Sequence, residues 1–465
     1  MLFPWSSSPP AVRSRRLSCC WQAASPPTHR PRRDGPRGAF PFRRPLTAGR
    51  RVLAGRPIPS RPVPFRVLVV SWEYPPIVEG GLARAVRKLS EALVADEDVE
   101  VHVLTRAGEH GPLDELRHGV HVHRVREPHY PTALPEFVQW VGRMNHDLLE
   151  RGRALAEEHD FDLVHGHDWL VAVAAKRLAD RMGVPFVATV HATEHGRHQG
   201  WVHKPPQSDI HRTERWMVHV ADQVLVCSHY MRGHVADVFG IDEERVIVAP
   251  NGIDPGDLQP VQDLASLRAQ FAAPDEKLVL LVGRLVYEKG FQHALEALAG
   301  RDGVIARVGK VRFLVAGSGS HEWELKDQAR RLGLTPHGTF MGWIGDDVLH
   351  SLYRIADLTV VPSIYEPFGL VALEAMASGC PCIVADTGGL REVVPHERVG
   401  LRFQAKDPRS LGRMVERVLT DDALRDRLVA EASEHVLRFD WSDVARQTHA
   451  AYRSLLLRAP TASSS

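Results

Sequence analysis

The sequence has few cysteines and no long hydrophobic run. Five cysteines in 465 residues are too few for a disulfide framework or a paired zinc ribbon, so we predict a reducing, cytoplasmic environment. No apolar run approaches the roughly 20 residues of a membrane-spanning helix, which argues against an integral membrane segment. The HExxH and GxGxxG motifs are also missing. The composition, 44% hydrophobic and 25% charged, is typical of a soluble globular protein.

Charge is nearly balanced over the chain, but it is distributed unevenly. The formal net charge is +1, whereas residues 1–65 hold thirteen arginines and a single acid, Asp34. The remainder therefore carries about −11, which argues against a nucleic-acid-binding body. The thirteen prolines among these residues predict a disordered leader over residues 1–64. Two interpretations of this segment stay open: it is a real leader, or the start of the protein has been assigned too far upstream.

Short apolar runs alternate with helical patterns from residue 65 onward, which is typical of parallel α/β sheets. The helical stretches include residues 82–95 and 169–182. Candidate strands of the first half, predicted as one domain over residues 65–250, lie at 65–71, 99–105, 161–166, 185–190, 223–228 and 245–250.

The alternation restarts after the turn-rich segment PNGIDPGD, residues 250–257. We therefore predict a hinge or linker at 251–275 and a second doubly wound domain at 276–438. Ligands of open α/β sheets bind outside the carboxyl ends of the strands, so two such domains facing each other form a cleft. The candidate strands of the second half lie at 277–283, 311–317, 356–363 and 380–386.

Two loops that follow predicted strands have features suited to phosphate binding. In SWEYPPIVEGGLAR, Gly80 and Gly81 open a helix whose bare N–H groups suit an anion. Taken alone, this pattern fits an unliganded turn equally well. In GRLVYEKGF, Arg284 and Lys289 lie between a strand and a helix, where two cations would neutralise a diphosphate.

Two carboxylates stand eight positions apart in EPFGLVALE, at the start of another helix. Glu366 lies in the preceding loop and is placed to accept hydrogen bonds from a sugar. Phe368, Gly369 and Leu370 would offer backbone N–H groups to hydroxyls or phosphate. Glu374, inside the helix, is placed to bind a ribose. Because this segment occurs in the same chain as the two loops described above, we favour these binding roles for Glu366 and Glu374 over a role as solvent-exposed surface residues.

Histidines and an aspartate follow strands of the first domain. His191 leaves the strand in TVHATEHGRHQGW, and Asp168 belongs to HGHDW. The neighbouring histidines lack the spacing of a known zinc motif and have no carboxylate cage. We therefore predict that these side chains line a polar pocket and bind no metal.

Taken together, these motifs resemble the GT-B glycosyltransferases of family 4, a large retaining group that includes glycogen-synthase-like enzymes. The resemblance covers essentially residues 66 to 456. It rests on GGL (80–82), HDW (167–169), HAT (191–193), PNGID (250–254), GRLVYEKG (283–290), AGSG (316–319), the long segment from 362 to 394 and FDW (439–441). It implies two Rossmann-like domains facing a cleft, with a helix at 439–456 crossing back to the first domain and a tail at 457–465.

The resemblance also implies roles for individual residues. Arg284 and Lys289 would hold the donor diphosphate, and Glu366 the sugar 3- and 4-hydroxyls. Asp168 and His191 would lie at the 6-hydroxyl and the reaction centre. The other residues implied at the donor are Gly80, Gly81, Gly317, Phe368, Gly369, Leu370 and, at the ribose, Glu374. Front-face displacement, without a metal or another cofactor, is the implied mechanism.

The implied activity is transfer of glucose from UDP- or ADP-glucose to a glucan, with α-1,4-type elongation. This chain has Val78 and Glu79 before Gly80-Gly81-Leu82, where glycogen and starch synthases carry Lys-Thr-Gly-Gly-Leu, so a preference for ADP-glucose is not implied. Alternatives are a mannosyltransferase acting on a lipid or glycan, a non-catalytic sugar-nucleotide binder and a sugar-nucleotide epimerase. The predicted partners are a nucleotide sugar and a glycan acceptor, and the oligomeric state is left open.

Overall fold

The structure is a computed structural model, and it describes residues 65–458 except 98, 109–110, 127–130, 132–133 and 262. The predicted leader and most of the predicted tail lie outside the described residues. Among the residues that are described, no helix combines the length and the apolar character needed to cross a membrane.

The first half forms an eight-stranded sheet covered by helices. Its strands are β1 (Phe65–Val70), β2 (Val99–Arg106), β3 (Asp114–Arg117), β4 (Val120–Val125), β5 (Leu163–His167), β6 (Phe186–Val190), β7 (Gln223–Val226) and β8 (Val246–Val248). They are ordered β3-β4-β2-β1-β5-β6-β7-β8. Only β3 runs antiparallel to its neighbour. The central strands are buried on both faces, which explains their continuous apolar runs.

Within the described part of the first half, six α-helices connect the strands. They are α1 (Gly81–Asp96), α2 (Leu134–Glu158), α3 (Ala172–Met182), α4 (Glu194–Arg197), α5 (Gln207–Val220) and α6 (His229–Phe239). Two of them begin at capped positions, because the side chains of Thr193 and Ser228 accept hydrogen bonds from the first turns of α4 and α6.

The second half forms a six-stranded parallel sheet in the order β11-β10-β9-β12-β13-β14. Its strands are β9 (Lys277–Val282), β10 (Val311–Ala316), β11 (Gly338–Gly342), β12 (Leu358–Val361), β13 (Cys382–Ala385) and β14 (Leu401–Phe403). The helices are α7 (Leu264–Ala269), α8 (Phe291–Leu298), α9 (Val304–Val308), α10 (Glu322–Arg331), α11 (Asp346–Ile355), α12 (Leu370–Ala377), α13 (Leu390–Val393), α14 (Pro408–Thr420) and α15 (Asp422–His435).

The last helix, α16 (Trp441–Arg458), returns to the first half of the molecule. Tyr452 on α16 is fully buried, and its hydroxyl lies 2.6 Å from Nδ1 of His165 on β5. His449 hydrogen bonds Glu97 at the end of α1. Where the chain passes between the two halves, Ile253 N donates to the carbonyl of Phe439. The predicted architecture of two parallel sheets and a returning helix is confirmed.

Candidate active site

An ion pair joins the two loops that the sequence predicted on the donor side. Lys289 ends a short turn after β9, directly before α8, and Glu366 lies in the loop between β12 and α12. Lys289 Nζ is 2.7 Å from Glu366 Oε2, and the side chains are only 20% and 12% exposed. Ser363 Oγ donates to the same carboxylate oxygen at 3.0 Å. A cation and a carboxylate therefore lie side by side in the loops predicted to bind the donor.

Arg284 stands at the carboxyl end of β9 with its guanidinium facing solvent. Its side chain is 44% exposed, and Nη2 is 4.0 Å from Glu288 Oε1. At that distance the ion pair is weak. The guanidinium can therefore reorient towards an anionic ligand at little cost.

Close backbone contacts hold the donor-side loops together. A Cβ on Gly317, where φ is +138°, would lie 1.9 Å from the carbonyl oxygen of Gly283. A Cβ on Gly290 would lie 1.9 Å from the carbonyl oxygen of Pro362. The loops after β9, β10 and β12 therefore pack so closely that only glycine fits at these positions.

The start of α12 meets the glycine loop of the first half. Gly369 has φ +128° and directly precedes Leu370, the first residue of α12. Phe368 is buried. A Cβ on Gly81 would lie 2.7 Å from Leu370 Cδ1. The two predicted anion-binding helix starts, α1 and α12, therefore lie next to each other across the cleft.

A buried carboxylate that the sequence analysis missed supports the glycine loop. Glu73 Oε2 accepts hydrogen bonds from the backbone N–H groups of Glu79 and Gly80. Burial raises the pKa of Glu73 to about 7, although these bonds oppose the shift. Arg106 Nη2 donates to Glu79 Oε1 at 2.9 Å and fixes the other side of the loop. The position of Glu73, just after the predicted strand at 65–71, was the sequence feature that could have indicated this role.

Glu374 faces protein groups from both halves. Its Oε1 accepts from Arg84 Nη1 at 3.2 Å, and its Oε2 accepts from the Tyr353 hydroxyl at 2.9 Å. Burial raises the pKa of Glu374, which Arg84 and the Tyr353 bond oppose. A ribose hydroxyl would have to share this carboxylate with Arg84, a residue that the sequence analysis did not single out. The ribose contact stays a prediction.

In the first half of the molecule, Asp168 and His191 contact each other. Asp168 has a positive φ of 63° after β5, and its Oδ1 accepts from His191 N at 2.8 Å. His191 Nε2 lies 2.9 Å from His167 Nδ1. Burial lowers the pKa of His191, with Asp168 opposing and Arg197 adding to the shift. His191 is therefore neutral near pH 7.

Tyr365 links the two sides of the cleft. Its hydroxyl accepts from Thr193 N at 3.1 Å, two residues after His191, while Tyr365 itself directly precedes Glu366. A Cβ on Gly196 would lie 2.3 Å from the ring, so the loop after β6 closes directly onto this tyrosine. The loop that follows β6, which carries His191, therefore contacts the loop that carries Glu366.

Comparisons with known proteins identify the family of the chain. The family described as Glycosyl transferases group 1 matches residues 265–435, and Glycosyltransferase Family 4 matches residues 79–257. A glycogen synthase of Mycobacterium tuberculosis is 37% identical over 83% of this chain and 94% of its own. A D-inositol 3-phosphate glycosyltransferase of a Nocardioides species is 31% identical over 83% of this chain and 89% of its own.

Among solved structures, the sucrose-phosphate synthase of Thermosynechococcus elongatus has a TM-score of 0.72. It is 25% identical over 84% of this chain and 99% of its own. The chain belongs to the GT-B glycosyltransferases of family 4 and is a glycosyltransferase.

Proposed function

We propose that this glycosyltransferase moves a glucosyl group from UDP- or ADP-glucose to a glucan, with retention and α-1,4-type elongation. The observation that carries the proposal is the Lys289–Glu366 pair, which joins the loops after β9 and β12. It offers a cation for the diphosphate next to a carboxylate for sugar hydroxyls. The similarity to a glycogen synthase supports glucose as the transferred sugar.

The donor would lie across the loops of the second half. Arg284 and Lys289 would bind the diphosphate, since a guanidinium and an ammonium both pair well with phosphate oxygens. Glu366 would accept from the sugar 3- and 4-hydroxyls. The remaining donor contacts would come from Gly80, Gly81, Gly317, Phe368, Gly369, Leu370 and, at the ribose, Glu374.

The proposed reaction is a front-face displacement. The bond from C1 to the donor phosphate oxygen breaks, and the acceptor oxygen bonds C1 on the same face. The departing phosphate oxygen takes the acceptor's proton. Arg284, Lys289 and the start of α12 would stabilise the charge that develops there, while Asp168 and His191 would hold the 6-hydroxyl at the reaction centre.

We further propose that this charge stabilisation needs no metal ion, because Arg284 and Lys289 would already supply two positive charges to the diphosphate. Turnover should then be unchanged after treatment with EDTA and should not rise when Mg²⁺ or Mn²⁺ is added. A rate that falls with EDTA and returns with one of these ions would contradict a metal-independent reaction.

One specific observation supports a different acceptor. A relative of similar coverage is named for D-inositol 3-phosphate, so similarity within the family fits more than one acceptor class. The loop that carries Val78 and Glu79 in place of Lys and Thr also differs from the glycogen and starch synthase pattern. Transfer to a non-glucan acceptor is therefore the alternative within the same fold, with mannosyl transfer to a lipid or glycan as one form of it.

The deciding experiment measures nucleoside diphosphate release by the purified protein. UDP-glucose, ADP-glucose and GDP-mannose are each supplied with and without a glucan primer, inositol 3-phosphate or a lipid extract. We expect release from a glucose donor that depends on the primer. Release from GDP-mannose alone, or only with a non-glucan acceptor, would contradict the glucan proposal. Donor binding without any release would favour a non-catalytic binder.

A further inference from the structure

Four histidines gather on one face of the first sheet, away from the cleft. His102 on β2 stacks on His121 of β4, with ring centroids 4.6 Å apart. Its ring is also 5.2 Å from that of His123 and 4.5 Å from that of His159. His102 and His121 are paired across the parallel strands. Residues two apart on a strand share a face, which places His123 on the same side.

A chain of short contacts runs through this cluster and ends on a carboxylate at each side. Glu100 Oε1 lies 2.9 Å from His102 Nε2. His102 Nδ1 lies 3.0 Å from His123 Nε2, and His123 Nδ1 lies 2.7 Å from Asp114 Oδ1. All three distances are those of hydrogen bonds.

The chain has too few protons for its contacts. Each of the three contacts needs one hydrogen, whereas two neutral imidazoles carry only one N–H each. In whichever tautomers the rings stand, one contact brings two lone pairs together. A cation must therefore lie at one of the contacts, either an extra proton or a metal ion.

Burial disfavours the extra proton. The side chain of His102 is fully buried, and a charge that is buried without a direct counter-charge is costly. The contact between His102 and His123 joins two rings and offers no such counter-charge. The arrangement of ligand atoms at the Glu100 end is therefore the feature that identifies the cation.

The Glu100 end of the chain has the geometry for a metal ion. Ligand atoms of Glu100, His102 and His159 all lie within 4.8 Å of one another. Ligands at about 2.05 Å from a tetrahedral zinc stand about 3.3 Å apart, so small side-chain shifts would complete the coordination. We propose that Glu100, His102 and His159 form a binding site for a transition-metal dication, with Zn²⁺ the best match to two imidazoles and a carboxylate.

A metal at this position completes the proton count. His123 Nδ1–H donates to Asp114, and His102 Nδ1–H donates to His123 Nε2. The lone pair of His102 Nε2 and Glu100 Oε1 then both face the metal. In known sites the ring N–H opposite the metal donates to an outer partner that fixes the tautomer. His123, held in turn by Asp114, would take that place here.

Arg66 sets the strength of the site. Its Nε and Nη2 hold the two oxygens of Glu100 at 2.7 Å each, which orients the carboxylate and leaves one lone pair of Oε1 for a metal. The nearby positive charge weakens cation binding. We therefore expect an affinity below that of a four-cysteine zinc site.

The site is separate from the candidate active site. His159 lies between α2 and β5, at the edge from which the parallel strands start, whereas the cleft lies at the opposite edge. A metal there would tie the end of α2 to the middle of the sheet. Its effect would be on stability, and turnover would not require it.

The test uses the full-length protein, stripped with EDTA and then freed of chelator. Zn²⁺ is titrated by calorimetry, and Co²⁺ is added as a spectroscopic substitute. We expect one saturable equivalent of Zn²⁺, a rise in the thermal midpoint and a visible absorption band with Co²⁺. His159→Asn should weaken Zn²⁺ binding at least tenfold. His219→Asn, which changes an exposed histidine on α5, should bind as the unaltered protein does.

His159 is the decisive position because it is only partly buried, so its replacement should leave the fold intact where His102→Gln, in the buried core, could destroy it. Equal Zn²⁺ binding by His159→Asn and the unaltered protein would overturn the proposal, since the ion would then lie at other histidines. Absence of both the Co²⁺ band and the Zn²⁺-dependent thermal shift would also overturn it and would leave a proton as the cation.

Discussion

At the scale of single residues, the Lys289–Glu366 pair determines how the candidate site responds to mutation. Both side chains are mostly removed from water, so each charge depends on the other before a donor arrives. Removing one partner of a buried pair leaves an uncompensated charge and costs more than removing both. Activity and stability should therefore respond differently to single and double changes.

Lys289→Met and Glu366→Gln should each lower kcat/KM by about 100-fold or more. Lys289 would supply charge to the departing diphosphate, and Glu366 would hold the sugar, as interactions of this type contribute about 10²–10³ in rate. The measurement is the initial rate of nucleoside diphosphate release with the preferred donor. A rate within threefold of the unaltered enzyme in either variant would remove that residue from the site.

The double variant separates chemistry from folding. Because Lys289→Met alone leaves the Glu366 charge unpaired, it should lower the thermal midpoint, and adding Glu366→Gln should recover part of that loss. Activity should stay low in the double variant. A double variant that is less stable than both single variants would contradict the charge-pair argument.

His165 should contribute to loss of stability in acid. Burial lowers its pKa to about 3, with a smaller contribution from His191, while its ring nitrogens bond Tyr452 and Thr189. Between pH 6.5 and pH 3 the His165 imidazole is protonated in the unfolded chain but stays neutral in the folded chain. The free energy of unfolding therefore falls as the pH falls through this window, by up to about 1.4 kcal/mol per pH unit for this one group.

His165→Gln tests this contribution. The variant should be less stable at pH 7 because a buried hydrogen-bonded ring is lost, but its urea midpoint should fall less steeply between pH 6.5 and pH 4.5. His219→Gln, an exposed histidine on α5, should keep the steep profile. Parallel profiles for His165→Gln and the unaltered protein would show that His165 is not the titrating group.

The sequence predicted one class of candidate site residues from their position in loops that follow a strand. Glu366, Lys289, His191 and Asp168 belong to this class, because carboxyl ends of parallel strands meet at one edge of a sheet. It missed Tyr365, Arg84 and Glu73, as their roles arise from contacts with segments far along the chain. Spacing within one loop carries no information about such contacts.

At the scale of elements, strands with continuous apolar runs could be predicted from the sequence. Strands that are short or have an alternating pattern were not identified. β1, β2, β5 and β9 to β10 are buried runs that could be read directly. The sequence analysis did not identify β3, β4, β11 or β14. β3 is an exposed antiparallel edge, β4 carries histidines between its valines, β11 contains two glycines, and β14 has three residues. Such strands are specified by their neighbours in the sheet.

Gly317→Ala should damage the donor-side loops more than its size suggests. The added Cβ would meet the Gly283 carbonyl at 1.9 Å, and φ at this position is +138°. The loop after β10 must then move away from the loop that carries Arg284. We expect a loss of stability of at least about 1–3 kcal/mol, from strain of this kind, and a clear loss of turnover.

Gly233→Ala is the matched control. Gly233 lies inside α6 with nothing within 4 Å of its added Cβ, so alanine should be neutral or stabilise by up to about 1 kcal/mol through helix propensity. Thermal unfolding and nucleoside diphosphate release measure both variants. Equal behaviour of the two alanine variants would refute the claim that close loop packing requires Gly317.

At the scale of the whole molecule, hydrogen bonds across the cleft hold the two halves in contact. Ser228 Oγ donates to the carbonyl of Pro367 at 2.6 Å. Lys88 on α1 pairs with Asp254 and Asp257 in the connecting segment. The alternation of strands and helices predicted two sheets, but it could not predict which helix ends contact each other. Those contacts depend on the tertiary packing of segments that are far apart along the chain.

The most informative of these contacts is made by Glu392 on α13. Its Oε2 and Oε1 accept from the backbone N–H groups of His229 and Tyr230, at 2.9 and 2.7 Å, in the first turn of α6. A carboxylate at a helix start gains from bare N–H groups and the helix dipole. The contact joins α6 of the first half to the segment just after the Glu366 loop, so it favours a closed cleft.

Glu392→Gln should therefore shift the molecule towards an open cleft without touching the substrate. Loss of the charge costs about 1 kcal/mol, which corresponds to about fivefold in an equilibrium constant. If closure of the two halves accompanies donor binding, KM should rise by about that factor while kcat changes less than twofold. X-ray scattering without donor should give a larger radius of gyration.

The matched control is Glu431→Gln on α15, because the ion pairs of Glu431 with Arg398 and Arg427 lie within the second half. This variant should change neither KM nor the radius of gyration. An unchanged KM and scattering profile in Glu392→Gln would show that closure does not depend on this helix cap, and would place the energy of closure in Lys88, Ser228 and the returning helix α16.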